Sequence, residues 1–164
     1  MLWERINPPR EQYMSWAMER WHIVEDVVKE IYGGIEEVGF IQKNDLVGIS
    51  PDGIVRNEEW KIVKAIEVKA PEMKTWVRYW LEDGIPSEYL WQVVHYFVVI
   101  DTLESLDFIV ANPDIPDKFY RFKIQNVTRE ELQECIDIAK QDIELFSEIY
   151  TEKLNNLLDK KPKL

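Results

Sequence analysis

A chain of 164 residues with 46% hydrophobic residues, among them seven Trp, seven Tyr and six Phe, carries the material of one core and is no disordered tract. Thirty-one Asp and Glu against twenty Lys and Arg leave a formal charge of −11, which excludes a protein that coats nucleic acid through a basic surface. The single cysteine, Cys135, excludes an internal disulfide and a cysteine-rich zinc site, and it fits a reducing, cytoplasmic setting.

The sequence opens without a basic segment followed by an apolar run, and no apolar stretch reaches bilayer length, so neither secretion nor membrane insertion is expected. After the Asn7-Pro8-Pro9 breaker, Trp16, Ile23, Val27 and Ile31 recur at helical spacing, with Val24 and Val28 widening the stripe. This predicts a helix over Gln12 to Tyr32, ended by Gly33-Gly34. From Asp45 the pattern becomes extended: Leu46 to Ile49 continues past Ser50-Pro51 into Asp52 to Val55, and a second strand runs from Trp60 to Lys69. The two join at Arg56-Asn57-Glu58-Glu59, and Pro71 stops the second.

Lys74 to Leu81 reads as a short helix, broken at Gly84, and Pro86 opens a stronger one to about Ile100 on which Tyr89, Val93, Tyr96 and Ile100 recur. Leu106 to Ala111 and Phe119 to Gln125 read as strands around the Asn112 to Asp117 turn. Thr128 and Glu131 form a capping box at the head of a long helix reaching about Leu158. No internal repeat or linker divides the chain, so residues 1–164 are expected to form a single α/β domain. Its central mixed sheet should have about four or five strands, flanked by the Gln12 to Tyr32, Pro86 to Ile100 and Thr128 to Leu158 helices.

Chemistry concentrates in Gly48-Ile49-Ser50-Pro51-Asp52-Gly53 and Lys64-Ala65-Ile66-Glu67-Val68-Lys69-Ala70-Pro71. On a strand, residues two apart face the same way, so Glu67 and Lys69 point together from an otherwise apolar segment. A charge in such a place is costly unless it is paired or binds a metal. If the intervening residues form a hairpin, Asp52 and Glu67 converge, and two carboxylates with a carbonyl such as that of Val68 make the hard oxygen environment of Mg2+, with Mn2+ as a substitute. Such a metal would also reverse the local effect of the acidic charge. Phosphodiester cleavage is a reaction this set suits: Asp52 and Glu67 position the metal, and Lys69 orients the attacking water or stabilises developing charge. Glu67-Val68-Lys69 alone would be ordinary surface charge; its combination with Ser50-Pro51-Asp52-Gly53, the Pro71 stop and a following helix holding Tyr89 and Gln92 carries the reading. Glu67→Ala is then expected to abolish cleavage while changing stability little or even favourably, because it relieves clustered negative charge.

With these motifs the chain resembles the lambda-exonuclease-like or YqaJ-type viral recombinase nucleases of the PD-(D/E)XK superfamily. The resemblance rests on Gly48-x-Ser50-Pro51-Asp52-Gly53, Glu67-Val68-Lys69-Ala70-Pro71 and Pro86-x-x-Tyr89-x-x-Gln92-Val93, and spans about residues 12 to 125. It implies a nuclease-like core, catalytic roles for Asp52, Glu67, Lys69 and Gln92, and exonucleolytic hydrolysis of linear DNA in phage-type recombination or repair. It also implies a metal-binding glutamate on the first helix, here Glu25, in a stretch where Trp21 stands in place of the family's glycine; pairing of Glu25 with Lys29 one turn on is the alternative. A ring-like homotrimer around duplex DNA and a single-strand-annealing partner are further implications, in a phage or its prokaryotic host. Family members usually carry a longer N-terminal region that holds the DNA end, which makes end-dependent processivity a weaker expectation here than cleavage.

Lys74 and Arg78, one turn apart, are candidates for phosphate contacts, and His95, just beyond Gln92, for the wall of the DNA groove. Trp76, Trp80 and Trp91 are candidates for base stacking, core packing being the commoner fate of tryptophan. A zinc pair of His22 and His95 is a weaker alternative. The rivals to an exonuclease are a structure-specific endonuclease and a catalytically silent DNA-end or protein-binding module on the same fold.

Overall fold

A computed structural model describes residues 23–24, 27–28, 33–115 and 122–159. Strand β1 (Ile41–Asn44) pairs antiparallel with β2 (Val47–Ile49) in a small two-stranded sheet. The main sheet holds β3 (Gly53–Arg56), β4 (Ile62–Lys69), β5 (Ser105–Ala111) and β6 (Phe122–Thr128) in that spatial order. β3 is antiparallel to β4, β4 parallel to β5, and β5 antiparallel to β6. The sheet is therefore mixed, as expected. A parallel pair needs a long crossover, and here the chain between β4 and β5 supplies α1 (Met73–Leu81), a 3-10 turn (Ser87–Tyr89) and α2 (Leu90–Val99).

The sheet is covered on both faces, which is why its central strands read as nearly continuous apolar runs. One face presents Ala65, Leu106, Phe108 and Val110 to α1, α2 and the start of α3 (Gln133–Asp159), through Tyr79, Val94, Phe97 and Ile136. The other presents Ile66, Val68, Ile109 and Ala111 to Val24 and Val28, which are helical. The rest of the Gln12 to Tyr32 helix expected from periodicity, Trp21, His22 and Glu25 included, lies outside the described residues, as do residues 116–121; the described part of the strand expected over Phe119 to Gln125 is β6, which runs on to Thr128. Among the described residues no helix is long and apolar enough to cross a membrane.

The run read as one extended segment from Leu46 to Val55 divides between two sheets. Ser50 to Asp52 lie between β2 and β3, and Pro51, buried and without an N–H, cannot continue a ladder. β1 escaped the pattern because of its sequence, Ile-Gln-Lys-Asn, only Ile41 is partly buried. The Thr128–Glu131 capping box forms, with the Thr128 N–H donating to Glu131 at 2.7 Å and the Glu131 N–H donating back to Thr128 Oγ1 at 3.3 Å. It closes a turn at the end of β6, and the regular helix begins later, at Gln133.

The C-terminal carbonyls of α2 are capped from two directions. Arg129 donates to the carbonyls of Phe97, Ile100 and Leu103 at 3.0, 2.8 and 2.7 Å. Lys43 of β1 donates to the carbonyl of Val98 at 2.6 Å and to Asp101 at 2.8 Å. Cations at this end complement the helix dipole and satisfy carbonyls that have no partner within the helix. Lys123 of β6 does the same for α1, donating to the carbonyls of Tyr79 and Trp80 at 3.1 and 3.0 Å and to that of Glu82. Both crossover helices are thereby held at their C-terminal ends.

Candidate active site

β4 places Ala65, Glu67 and Lys69 on the face that meets α2, as strand alternation requires. The Glu67 side chain is buried, with 3% of the residue exposed, and each of its oxygens accepts hydrogen bonds. Oε1 accepts from the Lys69 ammonium and from Gln92 Nε2 at 2.8 Å. Oε2 accepts from the Tyr96 hydroxyl, whose oxygen also lies 3.3 Å from the Ser50 carbonyl. Gln92 and Tyr96 stand four apart on α2 and so share one helix face. The Lys69 ammonium sits 4.9 Å from the centre of the Tyr89 ring, a contact favourable for a cation.

Asp52 reaches the same place from the other side. Its N–H donates to the Ile66 carbonyl at 3.2 Å, and its carboxylate accepts the Val68 N–H at 2.7 Å. The Asp52 side chain thus takes up the ladder position on β4 just beyond the end of β3. The N–H and C=O of one strand residue leave on the same side, so the Val68 carbonyl also faces the Asp52 edge. Gly53 follows because a Cβ there would lie 2.4 Å from Ile35 Cγ2; close packing, rather than an unusual backbone, demands the glycine.

The electrostatics follow from this geometry. Burial first, then the Glu67 carboxylate and finally Asp52, push the Tyr96 hydroxyl far above its ordinary range, so it stays a donor at any working pH. Burial holds the His95 imidazole below its usual value, with the Gly48 backbone acting in the opposite direction. The setting of Glu67 is the reverse of a cluster of repelling acids. Three donors converge on it, and truncating it would leave them without their acceptor, so this geometry predicts a loss of stability in Glu67→Ala where the sequence predicted little change.

Asp52, Glu67, Val68, Lys69 and Gln92 are therefore brought together. Glu25 lies outside the described residues, whose neighbours Val24 and Val28 pack on the opposite face of β4 from Glu67. Among the described residues no three His, Cys, Asp or Glu side chains gather to hold a metal ion. The oxygen set of Asp52, Glu67 and the Val68 carbonyl nonetheless has the hard-donor chemistry of a Mg2+ or Mn2+ site. Lys74 is exposed on α1, while Arg78 is half exposed and pairs with Glu88 at 2.7 Å. Glu88 also accepts from the Tyr79 hydroxyl. His95 lines a pocket beside Gln92 with Trp91. Trp76 and Trp80 stack on each other, with ring centres 4.8 Å apart, so Trp91 is the tryptophan of the three that reaches open space. Tyr96 is the site residue that sequence reasoning missed. It was read as one apolar position of the helix, and the available signal was its place one turn after Gln92, with a polar tip on a buried ring.

The fold is shared with the crystal structure of an alkaline exonuclease, LHK-Exo, from Laribacter hongkongensis. The TM-score is 0.59 at 21% identity, over 95% of this chain and 82% of that one. The same exonuclease in complex with dAMP matches with a TM-score of 0.59 at 20% identity, again over 95% and 82% of the two chains. No curated protein matches the chain. Residues 7–104, which include Asp52, Glu67, Lys69, Gln92 and Tyr96, match the model of the YqaJ-like viral recombinase domain, and the chain belongs to that family.

Proposed function

We propose that the protein is a divalent-metal-dependent DNA exonuclease that hydrolyses phosphodiester bonds of linear DNA in phage-type recombination or repair. The observation that carries the reading is the buried Glu67 carboxylate, held on both oxygens by Lys69, Gln92 and Tyr96 beside Asp52. A buried carboxylate so fixed has its orientation decided before substrate arrives. The family's description and the fold shared with an alkaline exonuclease support the same conclusion.

Asp52, Glu67, the Val68 carbonyl and Glu25 would hold Mg2+, or Mn2+ in its place. Bound there, the cation would lower the pKa of water and neutralise charge on the phosphate. Gln92 and Tyr96 fix the Glu67 oxygens from α2. Lys69, which donates to the same Glu67 oxygen as Gln92, would orient the attacking water or stabilise negative charge on the phosphate. Lys74, Arg78 and His95 contact the DNA, Arg78 by exchanging Glu88 for a phosphate oxygen. A homotrimer around the duplex, a single-strand-annealing partner and action inside a prokaryotic cell belong to the same reading.

The test is digestion of a 5′-labelled linear duplex and of a closed circle across a series of Mg2+ and Mn2+ concentrations, with Asp52→Ala and Lys69→Ala variants whose fold is verified by circular dichroism. Degradation of the linear substrate alone, lost in both variants, is the expected result. Cleavage of the circle at the same rate makes the protein an endonuclease. Inertness of the unmodified protein in both metals overturns hydrolysis and leaves a binding module.

A further inference from the structure

We infer that the pocket beside Glu67 receives one unstacked nucleobase of the bound DNA strand, with Trp91 as its stacking platform. The inference rests on the nucleolytic reading above and adds a subsite to it. The pocket has a volume of about 350 Å³ and is lined by Gly48, Ser50, Trp91, Gln92, His95 and Tyr96 among others. Gln92 and Tyr96 are also the side chains that grip Glu67, so the pocket and the carboxylate share a wall. A strand with a phosphodiester at Glu67 would have its neighbouring base within reach of that space.

The lining specifies the occupant. In a chain of formal charge −11, no lining residue is an Asp or Glu, and none is a Lys or Arg. A phosphate would call for cationic or clustered N–H partners, whereas a base is neutral and needs a flat apolar surface with a few polar groups at its edge. Trp91 supplies the surface: it is 52% exposed on a helix where Val93 and Val94 are fully buried. His95 supplies the edge. Partly buried and held below its usual pKa, its imidazole has one nitrogen engaged by the Gly48 backbone, which fixes the ring and leaves the other nitrogen for a polar group at a base edge. Gly48, also in the lining, lets the exposed Phe40 ring lie against the backbone there; a Cβ would fall 2.3 Å from that ring. The volume stands at the low end of the roughly 300–1,000 Å³ usual for small-ligand pockets, a size for one nucleotide and not for a duplex.

The experiment uses short duplexes carrying 2-aminopurine as the last nucleotide of one strand or the other, bound without divalent metal so that nothing is cut. Stacking on Trp91 should quench the probe in the unmodified protein and in Trp91→Phe. In Trp91→Ala the quench should be lost and the duplex should bind about tenfold more weakly, the scale of one base–aromatic stack. An abasic terminal nucleotide should weaken binding to the unmodified protein by a similar factor. Equal quenching in Trp91→Ala, or tight binding of the abasic duplex, overturns the subsite. Should Trp91→Ala fail to fold, Trp91→Phe and the abasic duplex still decide the matter. Cleavage in Mg2+, followed in parallel, separates the two readings. Quenching without cleavage removes hydrolysis and keeps the base pocket, cleavage without quenching removes the pocket alone, and absence of DNA binding removes both.

Discussion

Tyr96→Phe removes a single oxygen from the centre of the site and leaves the ring and its packing in place. The hydroxyl donates to Glu67 Oε2 and lies 3.3 Å from the Ser50 carbonyl, and Tyr96 is 2% exposed, so water is poorly placed to replace it. A hydrogen bond to a charged acceptor contributes about 1.5–3 kcal/mol, so the variant should lose about 2 kcal/mol of stability. In a domain of this size that lowers Tm by roughly 4–8 °C. Thermal melting without divalent metal gives the number. Because the loss arises from the pair, combining Tyr96→Phe with Glu67→Gln should cost less than the sum of the single changes, with a coupling of about 0.5–3 kcal/mol. Strict additivity, or an unchanged Tm in Tyr96→Phe, would refute the claim that this hydroxyl holds the carboxylate. Kinetics gives a second readout: with Glu67 less well fixed, kcat should fall while KM for DNA changes little.

Gly53→Ala should drive Ile35 aside, since the new methyl would meet Ile35 Cγ2 at 2.4 Å. A loss of about 1–3 kcal/mol in melting experiments is expected from overpacking, with a larger fall in cleavage because Asp52 is the adjacent residue. Asp101→Asn tests the strap between β1 and the end of α2. The Lys43 hydrogen bond holds the Asp101 carboxyl below its ordinary 3.8. A depressed carboxyl stabilises the fold fully above its unfolded pKa and loses that contribution as pH falls through the folded value. The Tm gap between the two proteins should therefore be present at neutral pH and close in acid; a gap that persists there would show that the charge is not its cause. Glu67→Ala should lower Tm without metal, as its three donors lose their acceptor, and a melting curve at or above that of the unmodified protein would restore the clustered-acid view.

Strand β4 was legible because its pattern is self-contradictory for a simple core strand: Glu67 and Lys69 interrupt an apolar run with a period of two, and only a partner explains them. The mixed sheet followed from the alternation of strands and helices, and the turn at Asp52 from Pro51 and Gly53. Three things were not legible, each for a physical reason. β1 is held by backbone pairing with β2 and by Lys43, neither of which leaves an apolar signature. The division of Leu46 to Val55 between two sheets depends on a change of partner, which is a tertiary property of a run with uniform propensity. The role of Tyr96 was hidden because an aromatic at helical spacing satisfies the core pattern whatever its hydroxyl does. The capping box was correctly read as local chemistry, yet the box sits where a strand ends, and the helix starts one turn later than the motif alone suggests.

Lys43 and Arg129 come to the carbonyl end of α2 from opposite sides of the polypeptide, one ahead of Asp52 and the other well past His95. The matched family region stops at residue 104, so a nascent chain released to that point would already contain Asp52, Glu67, Lys69, Gln92 and Tyr96. It would not yet contain the Arg129 guanidinium that anchors the helix carrying Gln92 and Tyr96. The carbonyl end of α2 would thus be fastened late in synthesis, after the last strand of the sheet has been delivered.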